Sequence, residues 1–344
     1  MNWLPLEHLL LEAHPGRAVT ADLDHSQLRQ YALQLAAELQ GRGVKRLALH
    51  LDDAGELAIA LLAAWRAGIA VMLPADAQPQ TRQRMSTQCD LWLDNLDGLL
   101  NADSAALPPA PLDLDQCRLT LCTSGSSGEA KLIDKSLRQL ANEVTALEQL
   151  WGEQLGSATI LGSVATQHIY GLLFRLLWPL CAGRTLQRHA QPFPEDLQRE
   201  SLTFTNGFAW VASPALLKRM GNNLDWNALR AVRQVFSSGG ALPAETATEL
   251  QGLLGQWPTE IYGSSETGGI AWRQGGELWT PFAGVELGQN GEGALHLTSP
   301  YLPAGHREQT ADAVELQADG RFALRGRLDR IIKLEEKRIS LPML

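Results

Sequence analysis

Cysteine and long apolar runs are scarce in this chain of 344 residues, and both shortages exclude classes of protein. No apolar run approaches the roughly 20 residues of a membrane span, so we expect no membrane partner. The apolar segment 3–11 contains an acidic residue and no basic leader, which argues against a signal peptide. The cysteines form no Cys-x-x-Cys pair and lack zinc-like histidine spacing, so we expect idle thiols in a cytoplasmic protein. They are Cys89, Cys117, Cys122 and Cys181.

An excess of positive charge is also missing. The chain has 29 lysines and arginines against 38 aspartates and glutamates, a formal net charge of −9, and the charges are dispersed. Nucleic-acid binding calls for a basic patch, so we expect no nucleic-acid partner. The chain does have length and 45% hydrophobic residues, enough to bury a large core in one big domain or in two or three packed subdomains.

Apolar residues recur in a rhythm that alternates helices with strands. Between residues 24 and 41 they follow helical spacing, and Gly41 and Gly43 end the element. The alternation continues to residue 262, which is typical of parallel sheets flanked by helices. We predict strands at 44–51, 69–73, 118–122, 159–164, 232–236 and 259–262, and helices at 54–67, 136–151, 168–180 and 243–254.

Short alternating runs separated by glycines replace this rhythm after Gly269. They predict a small antiparallel β subdomain over about 271–326. The predicted fold class is therefore α/β, with helix-flanked, mostly parallel sheets in two subdomains over about 1–270, followed by the β subdomain.

A loop rich in glycines and hydroxyl groups follows the predicted strand 118–122. It runs Thr123-Ser124-Gly125-Ser126-Ser127-Gly128-Glu129-Ala130-Lys131. Glycines let backbone N–H groups turn inward, and hydroxyls with an ammonium complement phosphate oxygens, so the loop predicts a nucleotide triphosphate site. Only two residues separate its glycines, which excludes the Walker pattern of P-loop NTPases. The alternative is a solvated turn between a strand and a helix.

Two later segments complete a three-part pattern: Ile-Tyr-Gly-Ser-Ser-Glu-Thr-Gly at 261–268 and Gly-Arg-Leu-Asp-Arg-Ile-Ile-Lys at 326–333. In this order the three resemble the phosphate loop, the Y-G-x-T-E motif and the G-R-x-D-x-x-I-K hinge of the acyl-adenylate-forming (AMP-binding) superfamily, with Ser265 in place of threonine. Acyl-CoA synthetases, aryl-acid ligases, peptide-synthetase adenylation domains and luciferases belong to it. The resemblance implies a ligase in which a carboxylate attacks the α-phosphate of ATP, giving acyl-AMP and pyrophosphate. A serine hydrolase is disfavoured, because Thr267 stands where G-x-S-x-G needs glycine.

The resemblance implies a catalytic group of four residues. Lys131 would hold the β- and γ-phosphates, and Ser265 would donate to the α-phosphate. Glu266 would be the ligand of Mg²⁺, an ion that favours one or two carboxylates together with phosphate oxygens. His168 would be the gate between the carboxylate and ATP sites. A solvated surface lysine and a structural histidine are the plain alternatives for Lys131 and His168.

The nucleotide contacts implied by the resemblance extend to the third motif. Asp312 would accept both ribose hydroxyls, Arg327 would donate to ribose and phosphate, and Asp329 would be the hinge. For Asp312 the alternative is an exposed β-turn. Tyr262 offers a flat face for adenine, or else it simply ends a core strand. The other implied contacts are Thr123, Ser124, Gly125, Ser126, Ser127, Gly128, Gly239, Gly240, Ala241, Gly263 and Ser264.

The carboxylic acid should bind among small and aromatic residues, which would suit a flat aryl acid better than a long acyl chain. We expect this pocket among His168, Phe208, Trp210, Ser238, Gly240 and residues 268–270.

The thiol acceptor is indicated by one departure from the family pattern. Glu336 stands where the family usually has glycine, in a turn that faces the acceptor, and this puts recognition of CoA in doubt. The stretch Glu-Glu-Lys-Arg at 335–338 resembles the ligases of aryl-polyene and xanthomonadin pathways, which implies transfer of a hydroxybenzoate to an acyl carrier protein. An acyl-CoA synthetase, or a catalytically idle nucleotide-binding or carrier-docking module, remains the alternative.

The same resemblance implies a domain division. Residues 1–326 would form the large adenylation domain, and 327–344 the hinge and the start of a C-terminal domain that we expect to be truncated, without its catalytic lysine.

Overall fold

The computed structural model of the protein describes residues 3–100, 105–124, 130–329, 331–334 and 337–340. Within this part of the chain, no helix is long and apolar enough to cross a membrane. Two large sheets and the helices around them form the fold, with a separate two-stranded ribbon at Ile331–Leu334 and Lys337–Ser340.

The first sheet has five strands in the spatial order β3-β1-β2-β4-β5. Its first four strands are parallel, whereas β5 runs antiparallel to β4 and pairs with it along its whole length. The glycine- and serine-rich loop therefore joins two strands, and the alternative of a turn into a helix is wrong. The strands are β1 (Arg46–Leu49), β2 (Ala70–Leu73), β3 (Leu91–Leu93), β4 (Arg118–Ser124) and β5 (Ala130–Ser136).

The second sheet has ten strands in the order β12-β13-β14-β15-β11-β10-β9-β8-β7-β6. Strands β6 to β9 are parallel, and from β9 onward every neighbour is antiparallel, so the antiparallel strands continue the parallel sheet. The strands are β6 (Thr159–Gly162), β7 (Phe208–Ala212), β8 (Val232–Ser237), β9 (Thr259–Ser264), β10 (Gly268–Arg273), β11 (Leu278–Pro281), β12 (Glu286–Gln289), β13 (Ala294–Thr298), β14 (Glu308–Leu316) and β15 (Phe322–Arg327).

Helix starts in this chain follow from capping side chains. Asp24 and Ser136 each accept a hydrogen bond from the backbone N–H of a glutamine three residues later, whose side chain bonds back in a capping box. The helices are α1 (His25–Gly41), α2 (Ala54–Arg66), α3 (Pro79–Met85), α4 (Leu137–Leu155), α5 (Ile169–Gly171), α6 (Trp178–Ala182), α7 (Pro194–Ser201), α8 (Pro214–Lys218), α9 (Trp226–Leu229) and α10 (Ala244–Leu254), with a 3₁₀ turn at Leu6–His8.

The predicted helix 168–180 is present but contains a π-helical stretch, Leu172–Leu177, between α5 and α6. Trp178 N–H donates to the carbonyl of Leu173, five residues back, and Pro179 has no N–H to continue the α-helical ladder. Because π segments are frequent at functional sites, this one draws attention to the side chains beside it.

Helix α4 is fixed in the core between the two sheets by a charged contact. Glu148 on α4 accepts hydrogen bonds from Arg184 (2.6 Å) and from the indole N–H of Trp178 (2.7 Å). The Arg184 side chain is only 1% exposed, so its charge depends on this partner. The contact therefore holds α4 against α6.

Replacing Glu148 should cost much more stability than breaking a surface ion pair. Glu148→Ala leaves a buried guanidinium unpaired, and we expect the free energy of unfolding to fall by about 3 kcal/mol in urea titration. The control is Glu38→Ala, which breaks an exposed i,i+4 pair with Arg42 and should cost at most about 0.5 kcal/mol. Similar losses in the two variants would contradict the buried-pair account.

Candidate functional site

A cavity of about 380 Å³ opens where four neighbouring parallel strands end. Ser163 follows β6, Ser213 follows β7, Ser238 follows β8 and Ser265 follows β9, and all four line it. Ligands in open α/β sheets bind outside the carboxyl ends of the strands, so the topology itself marks this cavity. Other lining residues are Thr123, Glu143, Val164, Ala165, His168, Ile169, Tyr170, Gly171, Leu173, Phe174, Gly239, Ile261, Gly263, Ser264, Glu266, Gly268 and Gly269.

The turn between β9 and β10 forms one wall of the cavity. Ser264 N–H donates to Thr267 Oγ1 (3.0 Å), and Thr267 N–H donates to Ser264 Oγ (3.2 Å), which closes the turn. A Cβ on Gly263 would lie 2.3 Å from the carbonyl oxygen of Gly268, so only glycine fits there. Ser265 and Glu266 stand between these two bonds and are held at the cavity.

Lys131 and Glu266 meet across the cavity mouth. Lys131 Nζ lies 2.7 Å from Glu266 Oε1, and the glutamate side chain is 15% exposed against 54% for the lysine. Strand pairing sets Thr123 of β4 opposite Lys131 of β5. The ion pair therefore brings Lys131 of the first motif to Glu266 of the second, and the phosphate-binding role of Lys131 stays a prediction.

Four residues of the predicted phosphate loop lie outside the described residues: Gly125, Ser126, Ser127 and Gly128. Ser124 is described as the last residue of β4, paired with Ala130.

A chain of polar contacts links Tyr262 to the third motif. The Tyr262 hydroxyl donates to Asp312 Oδ2 (2.6 Å), and Arg327 Nη1 donates to Asp312 Oδ1 (3.2 Å). Arg327 Nε in turn donates to Asp329 Oδ1 (2.6 Å). Burial raises the pKa of Tyr262, and the neighbouring Asp312 carboxylate raises it further, so the phenol stays a donor.

These contacts decide one of the structural alternatives. Asp312 lies inside β14, opposite Arg327 of β15, with a side chain 18% exposed, so the β-turn alternative is wrong. Tyr262 packs its ring against Trp279 and Phe322 in the core of the antiparallel strands, yet directs its hydroxyl to Asp312. It therefore belongs to the core and to the polar chain at once.

Some of the remaining predicted residues line the cavity and others do not. His168 and Gly239 line the cavity, and Gly239 has a φ of +92°, a conformation that favours glycine. Gly240 and Ala241 follow in the same loop but do not line it. His168 thus lines the same cavity as Ser265 and Glu266, and its role as a gate stays a prediction.

The expected acid pocket is wrong for two aromatic residues. Phe208 and Trp210 point into a separate core cluster, where they are 1% and 0% exposed, and the Trp210 indole donates to Ser201 Oγ. Alternate residues of a strand share a face, so both turn away from the cavity together. Tyr170 and Phe174, from the segment containing the π-helix, line the cavity in their place.

Two buried charges behind the turn are not predicted from the sequence. Lys135 of β5 is 2% exposed and donates to the carbonyl oxygens of Glu266 (2.8 Å) and Tyr301 (3.2 Å). Glu143 of α4 is 5% exposed, and its Oε1 accepts from Gly269 N–H at 2.6 Å. Together they hold both ends of the turn that presents Ser265 and Glu266.

Their pKa values reflect this burial. Burial raises the pKa of Glu143 to about 7, with the Lys135 charge and the Gly269 N–H acting in the opposite direction. Burial also lowers the pKa of Lys135, against the attraction of Glu143 and Glu266. A signal does exist in the sequence: Glu143 falls at helical spacing between Leu140 and Leu147, on the apolar face of α4.

The acidic side chains at the cavity suit a metal ion that also binds phosphate oxygens better than a metal ion held by protein ligands alone. Within the described ranges, no group of three or more histidines, cysteines, aspartates or glutamates could hold an ion. Glu266 presents a single carboxylate to the cavity, which fits a cation that shares its ligands with phosphate oxygens.

Comparisons with known proteins agree with this architecture. A family model described as AMP-binding enzyme matches residues 73–289, more than half of the chain, and the chain therefore belongs to the AMP-binding enzyme family. It is 29% identical over 227 residues to a 4-coumarate–CoA ligase of Cereibacter sphaeroides, covering 65% of this chain and 52% of that protein. It is 27% identical over 318 residues to enterobactin synthase component F of Escherichia coli, covering 82% and 23%.

Solved structures resemble the fold over nearly the whole chain. A malonyl-CoA ligase in a ternary product complex with methylmalonyl-CoA and AMP superposes with a TM-score of 0.76 at 22% identity, covering 98% of this chain and 84% of that one. The chain spans about half the length of the 4-coumarate–CoA ligase, at 52%. The predicted α/β fold is confirmed by these similarities.

Stability should depend on pH through Glu143. Because its folded pKa is raised from 4.5 to about 7, the folded state holds the proton more tightly, and stability falls as pH rises through that window. The loss is about 3 kcal/mol at the usual 1.36 kcal/mol per unit. In urea titrations at pH 4.5 and 8, the free energy of unfolding of the wild type relative to Glu143→Gln should fall by about this amount between the two pH values.

The matched control for this measurement is Glu153→Gln, an exposed glutamate on the same helix. It should retain the wild-type difference between the two pH values. An unchanged difference in Glu143→Gln would remove Glu143 as the source.

Proposed function

We propose that the protein activates a carboxylic acid with ATP, forming an acyl-adenylate and pyrophosphate, and that the acyl group then passes to the thiol of an acyl carrier protein. The proposal rests on one observation: a single cavity contains both an apolar wall and the Thr123 and Glu266 side chains, with Lys131 paired to Glu266. Membership of the AMP-binding enzyme family supports it.

Binding of the two anions requires cationic and donor groups in place before reaction. Lys131 is exposed enough to leave Glu266 for a phosphate oxygen, since half of its side chain already contacts solvent. Glu266 would then be available to Mg²⁺, which supplies charge neutralisation at the phosphates when bound. Ser265, fixed in the closed turn next to Glu266, would donate to the α-phosphate.

The nucleoside would bind beside this group, in the direction of the polar chain. Asp312 presents a carboxylate oriented by Tyr262 and Arg327, and two ribose hydroxyls could share its oxygens. The backbone at Gly239, Gly240 and Ala241 would contact the adenine edge. Arg327 also donates to Asp329, the residue that we propose as the hinge after the large domain, residues 1–326.

The acid would occupy the apolar part of the cavity. Tyr170, Phe174 and Leu173 line this part. His168 also lines the cavity and directly precedes the helical segment that begins at Ile169. Rings on the wall favour a flat partner, so we infer an aryl acid such as a hydroxybenzoate. Similarity to a 4-coumarate–CoA ligase supports this class of acid and also keeps direct transfer to CoA as the alternative acceptor.

The nucleotide assignment is tested by Asp312→Ala. Loss of a carboxylate that accepts two hydroxyls should weaken ATP binding by about 2 to 3 kcal/mol, roughly 30- to 150-fold, in titration calorimetry. Acid-dependent exchange of pyrophosphate into ATP, measured with a panel of aryl and aliphatic acids, should fall in parallel.

The control is Asp319→Ala, which removes an exposed aspartate that pairs with Arg321 on the adjoining turn. It should bind ATP as the wild type does. If Asp312→Ala keeps its fold by thermal melting and also keeps wild-type ATP affinity, Asp312 is no part of the nucleotide site.

A further inference from the structure

The Glu143 carboxyl reaches the cavity through a gap in its wall. Gly268 and Gly269 have no side chains there, and a Cβ on them would lie 2.7 Å from Glu143 Oε2 and 3.1 Å from Glu143 Oε1. Larger residues at these positions would clash with the carboxyl. The two glycines therefore leave space through which a side chain of α4 contributes to the cavity lining.

The two oxygens of this carboxyl differ in their partners. Oε1 accepts from Gly269 N–H, but no donor in the described part of the chain hydrogen-bonds Oε2. The cavity that this carboxyl lines also has apolar lining residues, among them Tyr170, Phe174 and Ile261. An acceptor left open in such surroundings costs free energy unless a ligand supplies the donor.

Charge balance limits what that donor is. Lys135 is the buried cation that attracts Glu143, and its ammonium is held by the carbonyls of Glu266 and Tyr301. With Lys135 as counter-charge, a second buried cation would leave a net positive charge in the core. A neutral hydroxyl adds a donor without adding charge, so it suits the site better than an ammonium group.

We propose that Glu143 is a specificity-determining residue that accepts a hydrogen bond from a hydroxyl group on the aryl ring of the acid substrate. This inference rests on the proposed function, and it adds the feature of the acid that the site selects. A site built around a buried acceptor discriminates strongly against an analogue that lacks the matching hydroxyl, because the acceptor is then left unpaired.

The test uses non-hydrolysable acyl-sulfamoyl adenosines as probes of the acyl-adenylate. The series is benzoyl, the three hydroxybenzoyl isomers and the three methoxybenzoyl isomers, each titrated into the wild type by calorimetry. One hydroxy isomer should bind about tenfold to a hundredfold more tightly than both the benzoyl compound and its own methoxy counterpart. The methoxy compounds keep the oxygen but cannot donate, which isolates the hydrogen bond.

The matched variant is Glu143→Gln. Its amide oxygen can still accept from Gly269 N–H, and this orientation turns an N–H group toward the position of Oε2 and reverses the required polarity. The hydroxy-over-methoxy preference should fall to about threefold or less in this variant, and thermal melting checks that it is folded. Glu153→Gln, on the exposed side of the same helix, should keep the full preference.

The outcomes separate the two proposals. If the wild type binds the probes without preferring any hydroxy isomer, the role of Glu143 in specificity is wrong and the adenylation proposal stands. A preference that persists in Glu143→Gln overturns that role as well, because another residue then accepts the hydroxyl. If neither ATP nor any probe binds, the proposed function fails, and the inference fails with it.

Discussion

The site depends on one buried electrostatic arrangement, the pair of charges behind the β9–β10 turn. Lys135 binds the carbonyl of Glu266 on one side of the turn, and Glu143 binds the N–H of Gly269 on the other. Burying two ionisable groups is costly, and removing either partner of such a pair leaves the other as an uncompensated buried charge. Here they fix the span 265–269, whose polar side chains we propose for the nucleotide end of the cavity and whose glycines we propose for the acid end.

This arrangement explains why residues distant in sequence can act together. Lys131 and Lys135 lie four residues apart on the same face of strand β5, and both contact Glu266, the first through its carboxylate and the second through its carbonyl oxygen. Helix α4, held by Glu148 and Arg184, presents Glu143 from behind. The Lys131–Glu266 ion pair lets the cavity stay open to solvent without an unpaired carboxylate of Glu266 at its wall.

Much of this organisation can be predicted from the sequence, and the failures have physical reasons. The apolar pattern predicts the parallel strands β1, β2, β4, β6, β8 and β9 and the helices α1, α2, α4 and α10, but it misses the parallel strands β3 and β7. Strand β5 escapes prediction because its lysines interrupt the apolar alternation, yet Lys135 is buried by a contact with the second sheet. Because they are aromatic, Phe208 and Trp210 are predicted to line the acid pocket. The strand face on which both side chains lie excludes them from it. The position of Glu143 on an apolar helix face indicates a role in the site only when its tertiary contact with Gly269 is known.

The central claim is that the cavity lets an acid carboxylate attack the α-phosphorus of ATP. Its most direct test is oxygen transfer, with an aryl acid labelled by ¹⁸O in both carboxyl oxygens, ATP, Mg²⁺ and hydroxylamine as the acyl acceptor. Mass spectrometry should find one ¹⁸O atom in each AMP formed and none in pyrophosphate, because the carboxylate oxygen that bonds to phosphorus stays with AMP when the acyl group leaves. Label in inorganic phosphate with release of ADP, or unlabelled AMP beside acyl hydroxamate, would contradict the account.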